Sequence, residues 1–191
     1  LREMSSRLCR DALSIGSARF LLAEVERRNL FLTRFGNDRG AVYRYHNLFR
    51  DFLQERLKQQ EPELYVDLHR RAGAWFEREH DVEEAIYHYL AAKAYDQATT
   101  LMEQLAMEWF HRGRLETISH WAESLPEPIK PRAPRLLLYQ GKALTDRYDY
   151  ERAREALARA ESGFLERGDS RSLARVHNQK ATVALFEGRY E

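Results

Sequence analysis

A mainly α-helical chain is predicted, with a small N-terminal domain carrying one β-hairpin and then a solenoid of paired helices. Three observations predict it. A spacing occurs twice, Gly73, Ala85, Tyr89, Ala92 and Gly141, Ala153, Leu157, Ala160, with the same steps of 12, 4 and 3 residues. A small residue on one helix facing a small-large-small stripe on the next is the pattern of two helices packed closely and antiparallel. Residues 30–35 and 41–45 are short runs rich in aromatic and β-branched side chains, separated by the turn formers Gly36-Asn37-Asp38-Arg39-Gly40. Charge also shifts along the chain: residues 1–60 carry a net +5 and residues 61–191 a net −4, which places a compositional boundary near residue 60.

The N-terminal elements follow from local pattern. Residues 4–13 and 18–28 read as short helices, the second led by Ser17 as N-cap with Phe20, Leu21, Leu22 and Val25 on its apolar face. The hairpin comes next, and then a helix from His46 to about Lys58 with Leu48, Phe49, Phe52, Leu53 and Leu57 on one side. Short helices ending in a hairpin give a winged helix for residues 1–60.

Residues 61–191 read as helices throughout. Glu61-Pro62-Glu63 is a helix start with proline in the first turn, and the apolar spacing then runs through Leu64, Leu68, Ala72, Trp75 and Phe76. Helices are expected at 63–79, 82–93, 95–111, 114–124, 133–147, 149–166 and 170–187, with Pro126, Pro128, Pro131 and Pro134 in the longest connection. The repeated spacing resembles the tetratricopeptide repeat, in which small residues admit close helix approach. The middle pairs fit it less well, since Ile86 and Leu105 stand where a small residue is expected, so the superhelix should be irregular there. Gly188-Arg189-Tyr190-Glu191 aligns with Tyr148-Asp149-Tyr150-Glu151, 40 residues earlier. That alignment predicts a chain ending inside a repeat, as a piece of a longer protein.

Composition excludes several classes. With 43% apolar and 12% aromatic residues the chain can bury a core, so it is globular rather than disordered. It has no apolar run of 18 residues, so no membrane span is expected, and charges at Arg2, Glu3, Arg7 and Arg10 break any signal-peptide pattern. Its one cysteine, Cys9, permits no internal disulfide and fits a buried helix position in a cytoplasmic protein. Neither a phosphate loop, nor a Gly-x-Ser-x-Gly elbow, nor a His-Glu-x-x-His pair occurs, and the histidines at 46, 69, 80, 88, 111, 120 and 177 are never four apart. The expectation is a non-enzyme without metal. Glu84 with His88, and Glu116 with His120, share helix faces and read as surface ion pairs.

The segment Tyr43-Arg44-Tyr45-His46-Asn47-Leu48-Phe49-Arg50-Asp51-Phe52-Leu53 resembles a signature of the STAND class of signalling ATPases. The resemblance implies a winged helix whose histidine, in a Met-His-Asp-Leu-x-x-Asp-like run, contacts the β-phosphate of bound ADP and holds the protein off. His46 stands at that histidine, with Asn47 for the aspartate and Tyr45 for the methionine. A helix start favours phosphate in any case, because its first N–H groups are unsatisfied; the bland alternative is that His46 only caps the helix beside Tyr43. Read with Leu68-His69-Arg70-Arg71-Ala72-Gly73-Ala74-Trp75-Phe76 and Glu83-Glu84-Ala85-Ile86-Tyr87-His88-Tyr89-Leu90-Ala91-Ala92, essentially the whole chain is similar to the large ATP-binding regulators of the LuxR type. That family implies an upstream ATPase domain acting in cis, ATP or ADP bound by the parent protein and not by this segment, and a helical-repeat sensor. DNA contact is implied only through a C-terminal helix-turn-helix outside the chain. In such a protein the winged helix acts as an internal lever rather than as a DNA reader.

If Gly141 is taken as the eighth position of its repeat, helix periodicity names the side chains expected along the concave groove. They are Arg135, Leu138, Lys142, Thr145 and Asp146, then Arg175, Asn178 and Thr182. This mildly basic groove would take a small anionic or polyhydroxylated inducer, or an acidic segment of a regulatory protein. Tyr87, Tyr95, Trp109, Phe110 and Trp121 read as solenoid core. The function expected is the regulatory, signal-sensing part of an ATP-dependent transcription activator, with self-association on activation. The alternative is a helical-repeat adaptor for protein partners without nucleotide control.

Overall fold

The computed structural model describes residues 1, 3–36 and 41–188. It contains a small antiparallel sheet, β1 (Met4–Ser5), β2 (Leu32–Phe35) and β3 (Val42–Tyr45), and ten α-helices. These are α1 (Ser6–Asp11), α2 (Ala18–Arg27), α3 (Asn47–Gln60), α4 (Pro62–Arg78), α5 (Val82–Ala91), α6 (Tyr95–His111), α7 (Leu115–Ser124), α8 (Pro134–Asp146), α9 (Tyr150–Glu166) and α10 (Ser170–Phe186), with one 3-10 turn at Lys130–Arg132. The mainly α class with a winged helix and helical repeats is what the sequence predicts. Two compact units result, Leu1–Ala94 and Tyr95–Glu191.

In the first unit, β2 pairs with β3 from Leu32↔Tyr45 to Phe35↔Val42, the expected hairpin; residues 37–40 of its turn cluster lie outside the described residues. The sheet has a third strand inside residues 4–13, where the sequence pattern predicts helix. Met4 and Ser5 pair with Tyr43 and Val42, and α1 begins only at Ser6, where the Ser5 hydroxyl accepts a hydrogen bond from the Leu8 N–H. Ser17 does precede α2, but its hydroxyl makes no capping bond; its φ of −88° and ψ of 17° depart from the extended backbone of a capping residue. Cys9, Ala18, Leu22, Leu32 and Tyr43 form the buried centre.

The compositional boundary at residue 60 lies inside this unit, because the first helix pair packs onto the winged helix. α3 and α1 contact α4, Arg7 forms a two-toothed ion pair with Glu79, and Arg71 donates to the Ser14 hydroxyl at 2.5 Å. α4 and α5 meet as the sequence spacing requires. A Cβ on Gly73 would lie 2.8 Å from the ring of Tyr89, so only glycine lets that ring fill the gap. The Tyr89 hydroxyl donates to the Glu77 carboxylate at 2.5 Å, and burial together with that carboxylate pushes the phenol pKa well above its usual value.

In the second unit the same device joins α8 to α9: a Cβ on Gly141 would lie 2.7 Å from the Leu157 side chain. α9 and α10 are each opened by an aspartate, Asp149 or Asp169, whose carboxylate accepts from an N–H of the first turn. α8 is the central helix here, contacted by α6, α7, α9 and α10. Its residues 136–141 and 143–145 are all buried as a result. No helix among the described residues is long and apolar enough to cross a membrane.

Candidate functional site

β3 runs directly into α3, and His46 is the joint between them. Its backbone N–H donates to the Phe31 carbonyl at 2.8 Å and its carbonyl accepts from Arg50 N–H, so strand register and helix start fix it from both sides. Its side chain is exposed and makes no capping bond to α3, which removes the reading of His46 as a side-chain cap. The first-turn N–H groups of α3 lack intrahelical partners, as at any helix start, and Arg50 is drawn aside to Asp51 at 2.7 Å and to Asn47 at 3.4 Å. An exposed imidazole beside a helix N-terminus fits a phosphate. Around it lies apolar surface: the Phe49 ring lies tilted 5.0 Å from Phe31 and stacked 6.4 Å from Phe52, and Leu48, in the first turn of α3, is 76% exposed. Phe20, Leu21, Leu30 and Phe35 are exposed on neighbouring elements of the same domain.

The expected groove on α8 and α10 is not formed as predicted. Leu138 and Thr145 are 3% and 2% exposed, so neither lines an open surface. Thr145 is a buried link: its hydroxyl donates to the Gly141 carbonyl at 2.7 Å and accepts from the Gln179 amide at 3.2 Å. Lys142 lies with its ammonium 5.4 Å from the Tyr139 ring and 5.7 Å from that of Phe110, a cation–π arrangement. Arg135 and Asp146 are exposed, but they sit eleven residues apart at opposite ends of α8, about 16 Å by helix rise. Arg175 and Asn178 are exposed on α10, and the Thr182 hydroxyl is turned back to the Asn178 carbonyl at 3.0 Å. The periodic stripe fails because α8 is enclosed on several sides rather than facing a single groove.

Arg135 belongs instead to a cleft of about 420 Å³ shared with Asp96, Thr99, Thr100, Glu103, Gln104, Arg132 and Arg167. Glu103 organises it. One carboxylate oxygen accepts from the N–H groups of Arg135 and Leu136 at 2.7 and 3.0 Å, the other from Arg167 at 2.9 Å. Glu103 thus caps α8 as an internal anion, and Arg132 pairs with Asp96 at 2.7 Å.

A buried pair that the sequence did not announce lies in the first unit. His69 and His88 are 5% and 1% exposed, with their Nδ1 atoms 3.0 Å apart, so one imidazole donates to the other. Tyr65 packs on His69 at 4.4 Å and Phe76 stacks on His88 at 5.3 Å. Burial lowers the His69 pKa from 6.5 to about 4, keeping that ring neutral. His88 is therefore a core residue and not half of a surface ion pair; Glu84 remains 3.9 Å from its Nε2. Glu116 turns to Arg147 at 2.5 Å, leaving His120 against the Trp121 ring. The available signal was that both histidines fall on the apolar stripes of their helices, beside Ala72 and Ala85 at helical spacing. Among the described residues no group of three or more His, Cys, Asp or Glu side chains could hold a metal ion.

The class of protein the fold defines is a winged helix feeding directly into antiparallel helix pairs, with an exposed histidine at the strand–helix joint. Comparison narrows the class. Residues 1–65 match the family model of the MalT winged helix domain. Over 98% of its length the chain is 28% identical to the HTH-type transcriptional regulator MalT of Cronobacter sakazakii and, equally, to that of Klebsiella pneumoniae. The chain is MalT-like, and it spans about a fifth of the length of these curated relatives, 21% in each case. No solved structure matches it.

Proposed function

We propose that this chain is the regulatory, signal-sensing segment of an ATP-dependent bacterial transcription activator acting in the cytoplasm. The observation that carries the reading is the exposed His46 at the start of α3, inside a domain matched by the MalT winged helix model. An upstream ATPase domain in cis would cover the aromatic surface of Phe31, Phe49 and Phe52, and the phosphates of its bound ADP would meet His46 and the first turn of α3. That nucleotide would supply the negative charge that holds the two parts together. The segment itself performs no catalysis in this account; DNA is contacted by another part of the parent protein.

The helix pairs would carry the inducer or regulatory protein and bias the closed, ADP-held state against an open, self-associating ATP state. Such a ligand acts only through a difference in affinity between the two states. The Arg135 cleft is the part of the predicted groove that keeps this basic, hydrogen-bonding character.

The test is His46→Ala in the parent protein. Raised basal transcription together with faster ADP release is the expected result; unchanged basal activity and unchanged ADP retention would remove His46 from the switch.

A further inference from the structure

The cleft at the start of α8 holds a positive charge that the fold does not use. Its charged lining is Asp96, Glu103, Arg132, Arg135 and Arg167. Two of the arginines are engaged internally: Arg132 with Asp96 at 2.7 Å, and Arg167 with Glu103 at 2.9 Å and with the Arg132 carbonyl at 2.5 Å. Arg135 is exposed, and among the described residues its guanidinium has no hydrogen-bond or ion-pair partner. Asp169, outside the lining, is held below its usual pKa first by its bonds to Ser172 at the α10 cap and more weakly by the charge of Arg135. The lining itself therefore carries one positive charge in excess, and it is the unengaged one.

The backbone that carries Arg135 is fixed. Its N–H and that of Leu136 donate to Glu103 at 2.7 and 3.0 Å, and the Glu103 side chain is only 12% exposed. α9 locks the adjoining 3-10 turn, since a Cβ on Gly163 would stand 2.2 Å from the Pro131 carbonyl oxygen. α6 supplies uncharged polar groups to the same cleft: Thr100 and Gln104, one helical turn apart and both exposed. The Thr100 hydroxyl donates to the Asp96 carbonyl at 2.7 Å, which leaves its oxygen able to accept. The Gln104 amide, unpartnered among the described residues, can both donate and accept. At about 420 Å³ the cleft has the size of a small-molecule site.

From this geometry we infer that the cleft binds a small hydroxycarboxylate of single negative charge, its carboxylate paired two-toothed with the Arg135 guanidinium and its hydroxyls read by Gln104 and Thr100. One carboxylate matches the one charge in excess, whereas a second would meet Asp96 and Glu103. As the place where an inducer acts, the cleft rests on the sensor reading proposed above; as a binding site it does not.

The experiment is a titration of the isotope-labelled 191-residue chain with gluconate, followed by amide and arginine side-chain NMR. Sorbitol, which has the hydroxyls without the charge, and acetate, which has the charge without the hydroxyls, are the comparisons. Gluconate should give saturable shifts at Thr100, Gln104 and Arg135 and bind about tenfold more tightly than either, as a charge-assisted pair and further hydrogen bonds together require. Arg135→Gln removes a side chain without internal partners, so the fold should persist while gluconate falls to the affinity of sorbitol. Gln104→Leu should weaken gluconate and leave acetate unchanged. No saturable shift, equal binding of gluconate and sorbitol, equal binding of gluconate and acetate, or an affinity that survives Arg135→Gln would each overturn the inference. Gluconate added to the parent protein, with ADP retention as readout, tests the sensor reading separately: binding that leaves ADP retention unchanged supports the site and removes the sensing role.

Discussion

Acidification should unfasten the first unit through His69. The ring is 5% exposed and shares a hydrogen bond of 3.0 Å with His88, an arrangement that accommodates one proton between the two Nδ1 atoms and is broken by a second. Burial disfavours its cation first and the positive N-terminus of the chain second; Tyr65 and Tyr87 flank it, Glu84 approaches only the far side of His88, and among the described residues no carboxylate contacts His69. The folded-state pKa of about 4 lies below the ordinary 6.5, so the unfolded chain binds more protons between those values. The stability His69 contributes is therefore full above pH 6.5 and is lost as the pH falls toward 4. With those two pKa values linkage gives a loss of about 2 kcal/mol between pH 7 and pH 5, approaching about 3 kcal/mol at lower pH. The assay is urea unfolding at each pH, read from the amide signals of α4 and α5, beside a direct NMR titration of the His69 ring. His69→Leu should start less stable, by about 1–3 kcal/mol for the stranded partner, and show a flatter profile from pH 7 to 5. An unchanged drop in His69→Leu, or a His69 ring that titrates near 6.5, would refute the argument.

The remaining predictions concern packing, capping and His46. Gly141→Ala should lower the stability of the second unit by about 1–3 kcal/mol, because the new methyl meets Leu157 at 2.7 Å; adding Leu157→Ala should cost less than the two changes summed, and calorimetry measures both. Glu103→Gln weakens the anion that caps α8 and pairs with Arg167, and about 1 kcal/mol should be lost, discounted for the half-exposed arginine. A double-mutant cycle with Arg167→Met measures the coupling, which 1 M salt should shrink; zero coupling at low salt would count against the geometry. His46→Ala in the parent should raise basal transcription, read from a reporter promoter.

The parts of the fold that could be read in advance are those set by short-range chemistry. Gly73 and Gly141 predicted the two tight helix pairs because the missing Cβ is filled by Tyr89 in one and Leu157 in the other, and both the residue and its partner are visible in a spacing. The helices of residues 61–188 fall close to their expected bounds because Pro62 and Pro134 open α4 and α8 and Asp81, Asp149 and Asp169 cap α5, α9 and α10. β1 was missed since two residues, Met4 and Ser5, carry no period; pairing with Tyr43 and Val42, nearly 40 positions away, makes them a strand. Ser17 shows the converse, a capping residue type in a backbone conformation that does not use it.

The site divides along the same line. The position of His46 at a helix start was legible because the strand and the helix on either side of it can each be read locally, and the structure leaves its side chain exposed there. The groove was not, because helix periodicity tells which residues share a face but not how many neighbours cover it. α8 is contacted by four helices, so Leu138 and Thr145 are interior while Arg135 joins residues of α6 and the 3-10 turn in a cleft that no single-helix pattern could assemble. The same limitation hid His69 and His88. Each is an unremarkable polar interruption of its own helix, and only the close approach that Gly73 permits between α4 and α5 helps bring their Nδ1 atoms within 3.0 Å. A polar residue on an apolar stripe next to a tight-packing glycine is therefore the sequence signal to follow in related chains, since such a residue must find its partner on the opposing helix or remain unsatisfied in the core.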